Sequence, residues 1–308
     1  MVDLSLLAQQ CAPLMLYHGC FDTLPGDLRL NLHNVVPEVL HRQLSLLKQH
    51  FRFVSIDEMA RAGQTPGLAA LSFDDAYNVV NERALPILLD LDIPVTIFVN
   101  SCTLEGHIFW RDKVRYIINN NLVDAWEQAT AGRYGLDNLP FYRYSKDPRN
   151  NSLRIDHELE KLLASRGVTG LTGYCYEQTS RFVRHPLVSY GNHSRHHYVM
   201  SSLSRQQQAE EIAHTTRLLD AVPGLQRCGM FSIPFGQPRD FNNDTIELVA
   251  EMGFDGVLLS RSRVNQPNDT GVWQKLRCLE RFMPDESDIA EQLVVIDRDT
   301  SAAKRRGE

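Results

Sequence analysis

The sequence predicts a parallel α/β fold, and three observations carry that expectation. Short apolar runs rich in β-branched residues alternate with stretches of helical periodicity along most of the chain, the pattern of strands joined by crossover helices. The 308 residues, 43% of them hydrophobic, suffice for one large domain or two small ones, with a core that needs neither disulfides nor a structural metal. No Gly-x-Gly-x-x-Gly follows an apolar run, which argues against a dinucleotide-binding version. Two architectures stay open on these grounds: a doubly wound open sheet, and a (β/α) barrel, complete or not.

The elements follow in order. Ala12 to His18 reads as the first strand, and Pro37 to His50 as an amphipathic helix that opens on a proline, a residue suited to the first helical turn. Leu68 to Phe73 is a second strand, Val79 to Leu91 a helix, and Pro94 to Val99 a β-branched strand. Pro186 to Tyr190 is a further strand. Ser204 with Gln207 three residues later has the form of a capping box opening a helix to about Leu219. Cys228 to Ile233, Asp255 to Leu259 and Leu276 to Leu279 supply the later strands. Thr245 to Met252 is helical and ends on Gly253, a usual residue beyond a helix end. The segment from about 101 to 185 breaks the rhythm, with helical patterns at Trp110 to Asn119 and Leu153 to Ser165. It reads as a mostly helical insertion over one face, placed where it can shape access to a site. Residues 1–296 are expected to form one domain, and 297–308 a disordered tail.

Charge and cysteine usage exclude several classes. The net charge of −6, from 32 basic and 38 acidic residues, gives no reason to expect nucleic acid as a partner. The one basic cluster, Lys304-Arg305-Arg306, reads as a solvated tail. Six cysteines without a Cys-x-x-Cys pair read as reduced thiols. No apolar run approaches a membrane span. The N-terminus has no basic n-region and carries Asp3, unlike a signal peptide, so a cytoplasmic location is expected.

The candidate chemistry sits at strand ends. His18 ends the first strand, Asp74 and Asp75 the second, and Asn100 the third. His193 follows the Pro186 strand, and Pro234-Phe235 follows the Cys228 strand. Parallel α/β folds place function at these C-terminal ends. Side chains alternate along a strand, so one of the two adjacent acids can meet a metal while the other faces substrate. In Gly191-Asn-His193-Ser-Arg-His-His197, histidines four apart share one face of a helical turn and can share a metal. His196 is the second-ranked partner for His193. One Asp and two His leave coordination positions open for water and substrate, as a catalytic zinc site requires.

These motifs, in this order, resemble those of the polysaccharide deacetylase family (the NodB homology domain, carbohydrate esterase family 4). Ser72-Phe-Asp-Asp-Ala76 is similar to its Thr/Ser-Phe-Asp-Asp-Gly motif, with Ala76 in place of Gly. His193-Ser-Arg-His-His197 resembles His-Ser/Thr-x-x-His, and Ser232-Ile-Pro-Phe-Gly236 resembles Arg-x-Pro-Tyr/Phe-Gly except at its first position. The resemblance implies a distorted barrel of seven strands, (β/α)7, interrupted by the insertion. It implies Asp74 as catalytic base, Asp75, His193 and His197 as metal ligands, and the backbone N–H of Phe235 as an oxyanion donor. The cofactor implied is one divalent metal, zinc first, with cobalt, nickel, manganese or iron compatible.

Two departures shape the remaining expectations. Many relatives carry an Arg at the position of Ser232 that orients the catalytic Asp; Arg281, near a late strand end, is the candidate to replace it. The Leu-x-His pattern that supplies the family's acid is absent, with no histidine after His214. His18 is therefore the candidate general acid, because Tyr17-His18 resembles a pair in deacetylases of the biofilm poly-N-acetylglucosamine type. His185 is the runner-up. The function implied is metal-dependent removal of an N-acyl group, chiefly acetyl, from a sugar or oligosaccharide, free or lipid-linked, in cell-surface polysaccharide assembly. The rivals are a deformylase or other non-sugar amide hydrolase on the same fold, and a non-catalytic carbohydrate-binding relative.

Overall fold

The computed structural model of the chain describes residues 3–63, 65–136, 138–168, 171, 173–267, 272–273 and 276–306. Helix α1 (Leu4–Ala8) and strand β1 (Leu14–Tyr17) lead to α2 (Pro37–Leu47), the short β2 (Arg52–Phe53), α3 (Ile56–Ala62) and β3 (Leu68–Phe73). A π-helical turn over Val80–Ala84 runs into α4 (Leu85–Asp90), and β4 (Val95–Val99) follows. Four helices then intervene: α5 (Trp110–Asn119), α6 (Val123–Thr130), α7 (Phe141–Tyr144) and α8 (Ser152–Ser165). The chain returns through β5 (Val188–Asn192), α9 (Arg205–Asp220), β6 (Arg227–Ser232), α10 (Asn243–Glu251) and β7 (Gly256–Leu259). It finishes with β8 (Val272–Trp273), β9 (Leu276–Glu280) and α11 (Ile289–Arg306).

Seven strands pair in parallel in the order β1-β3-β4-β5-β6-β7-β9, with β2 beside β3 and β8 antiparallel to β9. Phe282, the second residue after β9, brings the two edges together. Leu16 N–H donates to Phe282 O at 2.8 Å, and Phe282 N–H to Leu14 O at 3.2 Å. The result is a nearly closed (β/α) barrel of seven parallel strands, as the resemblance implies. Strands β1, β3, β4 and β7 are buried at every position, as expected where helices cover one face and the barrel interior the other. Leu14, Ala70, Phe98, Met230, Leu258 and Leu279 share one buried cluster. Gly191 makes room for Phe98, because a Cβ there would lie 2.2 Å from the ring. Phe98 thereby packs beneath the site, its ring centre 6.5 Å from that of His193.

Several boundaries move for physical reasons. The strand expected over 186–190 lies at Val188–Asn192, which brings its end directly to His193. The helix expected over 79–91 is interrupted, because Pro86 has no N–H and the chain widens into a π turn before α4. The Ser204–Gln207 capping box is present at the start of α9. The segment between β4 and β5 holds four helices where the periodicity shows two. The disordered tail expected over 297–308 is corrected: residues 297–306 continue α11, and 307–308 lie outside the described residues. Small residues make the buried contacts there, with Thr300 and Ala303 buried and Thr300 Oγ1 accepting from Val264 N–H at 3.2 Å. A helix held by Thr and Ala reads as polar when scanned for large apolar residues. No helix among the described residues is long and apolar enough to cross a membrane.

Candidate active site

Six strands deliver the candidate residues to one mouth of the barrel. His18 follows β1, Asp74 and Asp75 follow β3, Asn100 follows β4, His193 follows β5, Pro234 follows β6 and Arg281 follows β9. Three of the connecting loops hold unusual backbone. Asp75 (φ 69°), Ala76 (φ 50°), Ser194 (φ 65°), His197 (φ 63°) and Phe235 (φ 63°) are all left-handed. A left-handed residue with a Cβ costs on the order of 1 kcal/mol, so this concentration marks a site whose geometry outranks local comfort.

His193 and His197 do not lie on a helical turn, which corrects the sequence expectation. The segment is a loop, bent at the left-handed Ser194 and His197. Asn192 Oδ1 accepts from Ser194 N–H at 2.8 Å, and Ser194 Oγ accepts from His197 N–H at 2.9 Å. Trp110, at the start of α5, donates its indole N–H to His197 O at 2.9 Å. These bonds turn the two imidazoles toward each other, ring centres 4.5 Å apart.

Asp75, His193 and His197 each offer a ligating atom, all within 4.8 Å of one another. Asp75 Oδ1 lies 3.8 Å from His193 Nε2 and 3.7 Å from His197 Nε2, close to the ~3.3–3.5 Å edge of a tetrahedral zinc site. Asp75 Oδ1 and His193 Nε2 are buried and have no hydrogen-bond partner among the described residues. Burial pushes the Asp75 carboxyl well above the usual carboxylate range; Arg115 opposes this, and Asp74 and Asp112 add to it. Burial also holds both imidazoles below their ordinary value, His197 further lowered by His193. His193 Nδ1 sits 2.8 Å from Ser232 O; donating there leaves Nε2 with a lone pair between the two acids, 3.2 Å from Asp74 Oδ2 and 3.8 Å from Asp75 Oδ1. Orphaned acceptors of this kind fit a divalent cation.

The second acid, Asp74, is held differently. Arg281 is fully buried and donates Nη1–H to Asp74 Oδ1 at 2.9 Å. Its Nη2 donates to Ser232 Oγ at 2.9 Å and to Ser260 Oγ at 3.0 Å, and Nε to Leu259 O at 3.3 Å. Ser232 Oγ in turn donates to Asp74 Oδ2 at 3.2 Å. Burial alone would raise the Asp74 carboxyl, but Arg281, His193 and His18 outweigh it and hold it below the usual range. Two adjacent carboxyls are thus driven apart, one toward ionisation and one in need of a cation.

The remaining predicted residues fall as follows. His18 lines the same cavity, and its Nδ1 lies 3.4 Å from His33 Nδ1. His33 Nε2 lies 2.6 Å from Pro284 O, so the His33 proton sits on Nε2 and its Nδ1 accepts from His18. Nε2 is then the His18 nitrogen left to exchange a proton in the cavity. Burial, with His33 adding, lowers His18 well below its ordinary value, while Asp74 pulls it up. The Phe235 N–H has no hydrogen-bond partner among the described residues, and the Phe235 ring packs edge-on 4.5 Å from His197. His196 turns away and pairs with Glu211 at 2.6 Å. His185 lies before β5, where its Nδ1 accepts from Leu187 N–H, outside the cavity lining.

The chain's residues 61–257 match the family model described as polysaccharide deacetylase. The chain belongs to the polysaccharide deacetylase family. Three solved structures show the same fold. The deacetylase PplD of Streptococcus pyogenes, solved with acetate, is 16% identical, with 93% of this chain and 97% of that one covered and a TM-score of 0.58. IcaB from Ammonifex degensii is 18% identical over 93% and 96% of the two chains, with a TM-score of 0.55. A de-N-acetylase from Aggregatibacter actinomycetemcomitans is 13% identical over 92% and 99%, with a TM-score of 0.54. No curated protein is similar enough in sequence to count as a match. His18 and Arg281 fall outside the residues matched by the deacetylase model.

Part of the candidate site leaves no mark in the sequence. Ser232 looked like a loss, yet its hydroxyl ties Arg281 to Asp74. His33 had no motif to announce it. Arg111, Tyr142 and Lys146 of the segment between β4 and β5 line the cavity of about 610 Å³ beside the three metal-ligand candidates. Their only signal was the length of that segment.

Proposed function

We propose that this polysaccharide deacetylase family member is a metal-dependent amidase that removes an N-acetyl group from a sugar. The observation that carries this is the pairing of the orphaned Asp75–His193–His197 cluster with an Asp74 held ionised by Arg281 at the same barrel mouth. Asp75, His193 and His197 would hold one divalent cation, zinc first, and such a cation supplies Lewis-acid polarisation of the scissile carbonyl and a more acidic attacking water.

The chain's own residues then divide the proton work. Asp74, its carboxylate oriented by Arg281 and Ser232, accepts the proton of the attacking water. The Phe235 N–H donates to the oxygen that gains charge as the carbonyl carbon becomes tetrahedral. His18 returns a proton to the departing amine through Nε2. Because neutral His18 carries its proton on Nδ1 toward His33, it serves as acid only after Nε2 takes a proton from solvent before attack, while Asp74 is still ionised and favours the charged imidazole. The proton that Asp74 then takes from the water returns to solvent after product release. The proposal extends to a role in assembling cell-surface polysaccharide, supported by the resemblance of the motifs.

The test is product analysis on a panel of N-acetylated and N-formylated sugars and simple amides. Acetate release confined to acetylated sugars, and abolished in Asp75→Ala, supports the reading. Formate release with no acetate release, or equal activity on non-sugar amides, replaces it.

A further inference from the structure

The catalytic cavity carries more positive charge than its own chemistry uses. Five cations line it: Arg111, Arg115, Arg143, Lys146 and Arg239. The whole chain, by contrast, is net negative. Arg115 is answered by Asp112 at 2.6 Å, and Arg239 by Asp240 at 3.7 Å. Arg111, Arg143 and Lys146 have no carboxylate in salt-bridge contact among the described residues.

Arg111 is the sharpest case. It is 1% exposed; Nη1 donates to Ser145 Oγ at 3.2 Å, and the Tyr142 hydroxyl and the more distant Asp75 carboxyl also act on the guanidinium. Its Nη2 is buried with no hydrogen-bond partner among the described residues. Aromatic rings surround the guanidinium, with Trp110, Tyr142 and Phe235 centred 4.6, 4.8 and 5.5 Å from it. Lys146 Nζ uses two of the same rings, 4.7 Å from Tyr142 and 5.1 Å from Phe235. Two like charges thus share two ring faces in a half-closed cavity. Ring faces repay part of the desolvation of a cation, but they do not neutralise it. Tyr142 registers the excess: against its own burial, Arg111 and Lys146 bring its hydroxyl down to about 8.

We propose that the substrate is an acetylated sugar bearing an anionic group, a phosphate or a carboxylate, which Lys146, Arg111 and Arg143 bind beside the scissile amide. The placement suits one sugar unit, since the Phe235 ring that meets Lys146 also packs on His197. An anion here completes the missing counter-charge, and charge-assisted bonds from Arg and Lys are the strong class for such groups. The inference rests on the deacetylase reading and narrows its substrate.

The test compares three acetylated substrates on the intact chain: N-acetylglucosamine 1-phosphate, an N-acetylated amino-sugar uronate, and the neutral methyl glycoside of N-acetylglucosamine. At least one anionic substrate should exceed the neutral one in kcat/KM by on the order of 30-fold, the worth of charged hydrogen bonds, mostly through KM. Lys146→Gln should shrink that ratio to a few-fold. Arg143→Gln, on an exposed position, carries the test if Lys146→Gln does not fold. Preference for the phosphate or for the uronate identifies the source of the anion, and either supports the proposal. A neutral substrate as good as both, or a preference untouched in both variants, overturns it while leaving the deacetylase reading intact. If no substrate releases acetate, that reading fails, and calorimetric binding of the sugar phosphate decides alone. Binding weakened in the variants supports the anion site, and binding absent or unchanged overturns it.

Discussion

Arg281 Nη1 and Asp74 Oδ1 are hydrogen-bonded at 2.9 Å across 207 residues of sequence, in a place where neither side chain meets solvent. A buried pair of this kind is costly to break from one side, by about 3–5 kcal/mol. Its presence beside Asp75, whose carboxyl burial pushes up, sets the two adjacent acids in opposite electrostatic environments.

The first prediction concerns Asp74 itself. Asp74→Asn keeps the shape and the bond from Arg281 but cannot accept a proton. Turnover should fall at least ~100-fold, the usual worth of a general base, with metal content unchanged. Wild-type turnover, or loss of the metal, would reassign Asp74.

Ser232 offers a second test. Restoring arginine there, as in many relatives, should fail, because Arg281 already fills the pocket and a second guanidinium would meet it unpaired. Ser232→Arg should therefore unfold at lower temperature and lose activity, while Ser232→Arg with Arg281→Ser recovers much of both. Residues sharing one network couple by about 0.5–3 kcal/mol. Additive losses in the double variant would show that the two positions do not substitute for each other.

A third prediction separates His18 from the metal cluster. His18→Ala should retain metal and fold but lose turnover on an amide, whose amine must be protonated to leave. An activated ester of the same acyl group needs no such proton and should suffer far less. Equal losses on both substrates would remove His18 from the acid role.

The cation cluster predicts a stability signature. Burial, reinforced by Arg111 and Arg143, lowers Lys146 to about 8, with Tyr142 and Asp240 opposing. Its folded value is below its unfolded one, so the folded state binds fewer protons between about pH 8 and the unfolded value near 10.4. The penalty is fully present below pH 8 and is relieved as pH rises through that window. Lys146→Met should thus raise the melting temperature at pH 7 by more than at pH 10. A variant equally or less stable than wild type at pH 7 would contradict this.

The sequence carried the arrangement of the site further than its details. Strand ends were legible from apolar runs, and topology alone brought Asp74, Asp75 and His193 together. The pairing of Arg281 with Asp74 was legible from a missing arginine and a late strand end. The His193–His197 turn was misread as helical, because a spacing of four looks the same in a loop bent by two left-handed residues. Ser232 and His33 each act through a pair of hydrogen bonds that leave no periodic trace. Arg111 and Lys146 reach the cavity only because the segment between β4 and β5 folds over it, a tertiary fact that local pattern does not encode. The end of α11 packs through Thr300 and Ala303, residues too small to mark a buried face.

Metal content, measured by elemental analysis of the purified wild type and of Asp75→Ala, His193→Ala and His197→Ala, tests the central claim most directly. One equivalent of a divalent metal is predicted in the wild type and a small fraction of that in each variant, with acetate release from an acetylated sugar falling in step. Full occupancy in the variants, or wild-type acetate release persisting after the metal has been stripped, would contradict it.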